Sequence, residues 1–162
     1  MASAHSLARF SDPPTDAEAQ LMLDLLTMPS WIANIGDRGV RDLEQARDYI
    51  KKGALEAYKQ GFGSFVIVLD GELAGIAGIF KRDHLEHPDH GFALLQRFEG
   101  RGIARRACQE LLENMRFGER DLFGIVSPGN ERSIGLLKRL GFKELKTVDE
   151  GKTVVFERKG TK

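Results

Sequence analysis

The order of patterns along the chain predicts an α/β fold of the α+β kind. It is a single mixed, mostly antiparallel twisted sheet of about seven strands with helices on both faces. Three observations carry this expectation. Extended and helical patterns follow one another as β-α-α-β-β-β-α-β-α-β-β. Phe62 to Leu95 holds three strand patterns with no helix between them, and Asp70-Gly71 joins the first two as a two-residue hairpin. At 162 residues with 41% hydrophobic content, the chain suits one globular unit with one core, so residues 1–162 are read as a single domain.

The elements follow in order. Ser3 to Phe10 alternates weakly and is read as a first strand, broken by Asp12-Pro13-Pro14. Thr15 with Glu18 three residues on forms a capping box for a first helix, whose apolar positions Leu21, Leu25 and Met28 keep helical spacing until Pro29. Trp31 to Val40 has no clean period and two glycines, and is expected to be an ordered loop. Asp42 caps a second helix reaching about Gln60, with Leu43, Ala46 and Ile50 on its apolar face and Gly53 as a weak point.

Phe62 to Leu69 and Glu72 to Lys81 are the hairpin strands. Small residues in the second (Ala74, Gly75, Ala77, Gly78) imply that something packs closely on it. A polar loop then leads to a short strand, His90 to Leu95. The next helix carries Ile103, Ala107, Leu111 and Met115 on one stripe and ends near Gly118. Leu122 to Val126 is a strand, and Asn130 caps a last helix with Ile134, Leu137 and Leu140 inward and Gly141 as its stop. Lys143 to Val148 and Thr153 to Glu157 close the sheet around Asp149-Glu150-Gly151.

The chemistry concentrates in Gln96 to Cys108, QRFEGRGIARRAC. Arg97, Gly100 and Gly102 stand at the spacing R-x-x-G-x-G between a strand and a helix, followed by small Ala104. Glycines there let the main chain approach a ligand, and the unpaired N–H groups of the new helix suit a phosphate. A nucleotide P-loop would need Gly-Lys-Ser/Thr, but Ile103 and Ala104 follow Gly102. A dinucleotide motif would need a small residue where Arg105 stands, and three strands already precede this one. The stretch reads as a pyrophosphate cradle of another kind.

From Phe92 to Phe142 the chain resembles the GNAT acetyltransferases, most closely their RimJ/RimL-type branch. The matching pieces are GFALL, RFEGRGIA, IVSPGN and NERSIGLLKRLGF, with IGDRGV and KRD upstream. The resemblance implies the GNAT fold with a splayed central strand pair, and acetyl-CoA as co-substrate. Leu94 and Leu95 would then offer backbone groups to the pantetheine arm. Gly100, Arg101, Gly102, Ile103 and Ala104 would hold the pyrophosphate, with Arg97 and its neighbours adding charge. Asn130 and Ser133 would stand near the pantetheine and the sulfur.

The implied reaction passes an acetyl group to a primary amine, on a small molecule or a protein N-terminus, by direct attack in a ternary complex. Many family members place a tyrosine three residues before the Leu-Gly-Phe. Leu137 stands there, so Ser133 becomes the candidate proton donor to the leaving thiolate. Asp89 is the candidate base, with His90 beside it. An α-amine ordinarily titrates near pH 8, so it needs less help to lose its proton than a lysine, which titrates at about 10.4. Trp31, Asn34, Arg38 and Tyr49 are the residues that the resemblance points to for the acceptor wall, with Arg38 able to meet a carboxylate or phosphate bidentately. The competing function class is a non-catalytic acyl-CoA-binding module, which amine-dependent thiol release separates from an enzyme.

Composition narrows the remaining classes. Twenty-four basic residues balance 24 acidic ones, so bulk charge suggests no nucleic-acid partner. Cys108 is the single cysteine and permits no internal disulfide. The first residues lack the pattern of a signal peptide, and no apolar run reaches the ~20 residues of a membrane span. A cytoplasmic protein, monomer or homodimer, is expected. His84, His87 and His90 lie at close spacing in a proline-containing loop that offers nothing to converge their rings, so no metal is expected.

Overall fold

The computed structural model describes residues 5–161. The first strand, β1 (His5–Ala8), is shorter than expected, and the Ser3 end of that expectation lies outside the described residues. The remaining elements are α1 (Asp16–Leu26), α2 (Pro29–Asn34), α3 (Leu43–Ile50), α4 (Glu56–Tyr58), β2 (Gly63–Leu69), β3 (Glu72–Phe80), β4 (Asp89–Leu94), α5 (Ile103–Gln109), β5 (Leu122–Val126), α6 (Glu131–Arg139), β6 (Lys143–Val148) and β7 (Thr153–Arg158). The strands form one sheet in the order β1-β2-β3-β4-β5-β7-β6. Every neighbouring pair is antiparallel except β4 and β5.

Local chemistry explains most boundaries. The Thr15 hydroxyl accepts from the Glu18 N–H at 3.1 Å, while the Glu18 carboxylate accepts from the Thr15 N–H at 2.9 Å. Asp70 and Gly71 both take positive φ, 50° and 83°, as a tight hairpin with the right twist demands. At the end of α6, the Phe142 N–H donates to the Leu137 carbonyl and the Gly141 N–H to Lys138, with Gly141 at φ 93°. This double closure satisfies carbonyls that the helix leaves open.

Two expectations need correction. Trp31 to Val40 is not wholly a loop, because Pro29 opens the six-residue helix α2 rather than only stopping α1. Proline suits a first helical turn, and six residues are too few for a helical period to show. The expected helix from Asp42 is continuous but not uniform: Lys51–Leu55 forms a π turn between α3 and α4, around Gly53. A second π turn, Glu110–Asn114, extends α5.

β3 lies inside the sheet between β2 and β4 and is buried at every position from Ala74 to Ile79, so both of its faces are covered. The close packing implied by its small residues comes from adjacent main chains. A Cβ on Gly75 would lie 2.1 Å from the Ala93 carbonyl oxygen, and one on Gly78 would lie 2.6 Å from that of Gly63. On β5, a Cβ at Gly124 would meet Leu137 of α6 at 2.8 Å, which fixes that helix close to the sheet. Among the described residues, no helix is long and apolar enough to cross a membrane.

Candidate active site

The site begins where two strands part. β4 and β5 are bridged at only two rungs, Asp89 with Phe123 and His90 with Gly124. Beyond them β4 keeps its ladder to β3 as far as Leu94, and β5 keeps its ladder to β7 as far as Val126. The Leu95 N–H donates to the Ala74 carbonyl at 2.9 Å. Hydrogen-bonding direction alternates along an antiparallel strand. The backbone groups of Phe92 and Leu94 therefore face the gap, while those of Gly91 and Ala93 face β3.

Leu95 does not share that freedom. Its N–H is held by Ala74, and its carbonyl accepts from Phe98 at 2.9 Å. The expectation that Leu95 serves an arm in the gap is therefore corrected: Phe92 and Leu94 are the exposed pair.

A short 3-10 turn, Gln96–Phe98, leads from β4 into the cradle. Gly100 and Gly102 have φ values of 75° and 73°, in the left-handed region, and Gly102 is the N-cap of α5. The first N–H groups of that helix have no intrahelical acceptor, and they stand at the positive end of its dipole. The strand gap and the cradle open into one cleft of about 670 Å³. Gly100, Gly102, Ile103 and Ala104 line it, as do Leu94, Asn130 and Ser133. The Asn130 side chain caps α6 by accepting from the Ser133 N–H at 3.4 Å. Among the described residues the Ser133 hydroxyl makes no hydrogen bond. Trp31 and Asn34 of α2 also line the cleft.

Other expected residues are elsewhere. Arg97 and Arg101 do not line the cleft; their guanidinium groups lie over the Phe98 ring, 4.7 and 5.8 Å from its centroid. A cation over an aromatic face is favourable in itself, and it competes with a role at the phosphate. Arg101 retains a place in the cradle only through its backbone. Arg38 is exposed in the segment after α2, and Tyr49 packs against the core from α3, so neither is part of the cleft wall.

Asp89 is buried at the closed end of the gap, with its carboxylate 2.7 Å from the Arg82 guanidinium and outside the cleft lining. Burial pushes its carboxyl above the usual carboxylate range, while Arg82 pulls it back. The assignment of Asp89 as base gives way to a structural one. Asp89→Asn is expected to lower stability by about 1–2 kcal/mol through the half-exposed pair and to leave the pH profile of turnover in place. A lost acidic limb in that profile would restore the catalytic assignment.

The three histidines are separated. His84 is exposed, His87 packs on Phe123, and His90 is buried beside Phe92 and Phe142. Among the described residues no group of three or more His, Cys, Asp or Glu could hold a metal ion.

Arg105, one of the arginines beside the cradle, lines the cleft. The cleft also contains charge that the sequence pattern alone did not bring forward: Arg132 of α6 pairs with Glu99 of the cradle, and Arg139 lines the same cleft. Arg132, Leu136 and Arg139 repeat at i, i+4, i+7, which puts them on one helical face. That spacing was available in the sequence.

A strand pair opens toward a glycine-bounded helix start on a seven-stranded sheet, the arrangement that the resemblance to the GNAT acetyltransferases implies. Residues 11–143 match the acetyltransferase (GNAT) domain family, and the chain belongs to it and is an acetyltransferase. Solved structures agree in fold. A chain from Bordetella pertussis, assigned to the GnaT-family acetyltransferases, has 21% identity and a TM-score of 0.75, covering 98% of this chain and 99% of that one. RimL, a ribosomal L7/L12 alpha-N-protein acetyltransferase solved with coenzyme A, has 16% identity and a TM-score of 0.77 over 97% and 94% of the two chains. An acetyltransferase from Salmonella typhimurium that modifies the N-terminal serine of L7/L12 has 15% identity and a TM-score of 0.75, again over 97% and 94%.

Proposed function

We propose that the chain transfers an acetyl group from acetyl-CoA to a primary amine, on a small molecule or at a protein N-terminus, by direct attack in a ternary complex. The observation that carries this reading is the continuity of the strand gap with the glycine cradle. The pantetheine arm would lie in the gap against the backbone groups of Phe92 and Leu94. Its pyrophosphate would take the N–H groups of Gly100 to Ala104, with Arg105, Arg132 and Arg139 offering positive charge.

In the reaction the amine nitrogen bonds to the acyl carbon, the carbon–sulfur bond breaks, and one proton leaves the nitrogen while one reaches the sulfur. A backbone N–H at the gap would stabilise the charge that develops on the carbonyl oxygen. Ser133 would pass the proton to sulfur, since it lines the cleft and its hydroxyl has no partner among the described residues. Leu137, at the position where many family members carry a tyrosine, is buried against Gly124 and offers no hydroxyl. Removing one proton donor typically costs about 10²-fold or more in rate. Ser133→Ala is accordingly expected to lower kcat by about a hundredfold or more, with a smaller change in the KM for acetyl-CoA. An unchanged kcat would remove Ser133 from the mechanism.

The reading extends to a cytoplasmic enzyme that needs no metal. Its donor specificity is tested by thermal melting with acetyl-CoA, ATP and NAD in parallel: protection by acetyl-CoA well above the other two supports it. Equal protection by all three would point to a general anion site.

A further inference from the structure

We propose that Glu99 is an internal competitor for the phosphates of coenzyme A: it occupies Arg132 across the cleft of the free protein, and the ligand binds by taking Arg132 from it. The inference rests on the acetyl-CoA reading. It adds to that site a residue that weakens donor binding and speeds release of the product CoA.

The pair joins two walls of the cleft. Glu99 stands immediately before Gly100 of the cradle, and Arg132 lies in the first turn of α6. Both line the cleft, and their side chains meet in an ion pair. The Glu99 main chain is held, because its N–H closes the preceding 3-10 turn onto the Gln96 carbonyl at 3.1 Å. An exchange of partners therefore falls to the side chains.

Neither charge is explained by the fold alone. A carboxylate beside the cradle repels an anion seated there. A cation in a first helical turn faces the positive end of the helix dipole, which favours Glu131 and disfavours Arg132 beside it. The Arg132 side chain is 75% exposed and that of Glu99 29%, and an ion pair so open to water adds little to stability. Both charges are accounted for if the carboxylate holds the place of a phosphate, since a guanidinium presents the same fork to either.

The exposures also give the exchange a route. Arg132 is the open member, so an incoming phosphate reaches its free N–H groups before the contact with Glu99 breaks. Arg105 and Arg139 line the same cleft with no ion-pair partner among the described residues, so they attract the anion without any pair being broken. Arg132 alone of the three has to exchange a carboxylate for the ligand. After acetyl transfer the same carboxylate competes with the phosphate of bound CoA and favours its departure.

The test measures CoA affinity by titration calorimetry at low salt, and CoA release by stopped-flow chase. It uses the wild-type chain, Glu99→Gln, Arg132→Gln and the double variant, each checked for cooperative melting. Changes of opposite sign are expected. Glu99→Gln should bind CoA about fivefold more tightly, the scale of one exposed ion pair, and release it more slowly. Arg132→Gln should bind it about tenfold more weakly, the scale of one hydrogen bond to a charged group. The gain from Glu99→Gln should largely vanish in the double variant, because the two residues act as one coupled pair.

Changes of the same sign, or no change in either single variant, would overturn the proposal and leave the pair as a tether between the cradle and α6. An equal gain from Glu99→Gln with and without Arg132 would also overturn it, since repulsion without exchange gives that result. No CoA binding by the wild type would instead contradict the acetyl-CoA reading itself, whereas like-signed changes in a chain that binds CoA contradict this proposal alone.

Discussion

Gly102→Val is expected to weaken acetyl-CoA binding by about a hundredfold. Gly102 holds φ at 73° and caps α5, so its conformation sets where the first N–H groups of that helix point. An L-residue in the left-handed region costs roughly 1–2 kcal/mol, and a β-branched one is an outlier there. The chain relieves that strain by rotating the junction, which misdirects the N–H groups of Ile103 and Ala104. Hydrogen bonds to a charged group contribute about 1.5–3 kcal/mol each, so losing one or two yields the expected factor. Titration calorimetry with acetyl-CoA measures it directly.

The control is Gly151→Val in the β6–β7 turn, where φ is 84° and the residue lies far from the cleft in the sheet order. It carries similar backbone strain and should lower the melting temperature without changing acetyl-CoA affinity. If Gly102→Val bound acetyl-CoA within threefold of the wild type, the cradle would not be where the pyrophosphate sits.

The second large effect is acid sensitivity set by His90. Its ring is 4% exposed, lies 5.6 Å from Phe142 and 6.2 Å from Phe92 between ring centroids, and has no partner at either nitrogen among the described residues. Burial, with a smaller push from Arg158, lowers its pKa from the ordinary 6.5 to about 4. A depressed pKa contributes stability that is complete above 6.5 and is lost as the pH falls toward 4. Between pH 7 and pH 5 this one group should remove about 2 kcal/mol of folding stability.

His90→Phe keeps an aromatic ring among aromatic neighbours and removes both unpaired nitrogens. Urea unfolding at the two pH values should show the wild type losing about 2 kcal/mol more than the variant. Equal losses would mean that the imidazole finds a partner or is protonated in the folded state.

Much of the fold was legible because its signals are local. The capping box at Thr15, the Asp70-Gly71 hairpin and the Gly141 stop are each decided within four residues, and each forms as expected. α2 was not legible: six residues give no period, and Trp31 is buried by tertiary packing. The π turn at Gly53 is a similar case, since glycine signals weakness in a helix but not the form it takes.

The site divides in the same way. Residues whose role follows from the backbone, Gly100 and Gly102 above all, lie in the cleft. Side-chain assignments depended on partners that sequence does not display. Phe98 takes Arg97 and Arg101, and Arg82 takes Asp89. Leu95 is the backbone exception, its N–H held by Ala74. The pairing of Arg132 with Glu99 joins segments 33 residues apart, a separation no periodicity reveals.

Acetyl transfer itself is tested most directly by following free thiol released from acetyl-CoA by the purified chain, with glycinamide present or withheld, and quantifying acetylated amine by mass spectrometry. Saturable thiol release that requires the amine is expected, with thiol and acetylated amine formed in equal amounts. Tight acetyl-CoA binding with no amine-dependent thiol from any primary amine would contradict it.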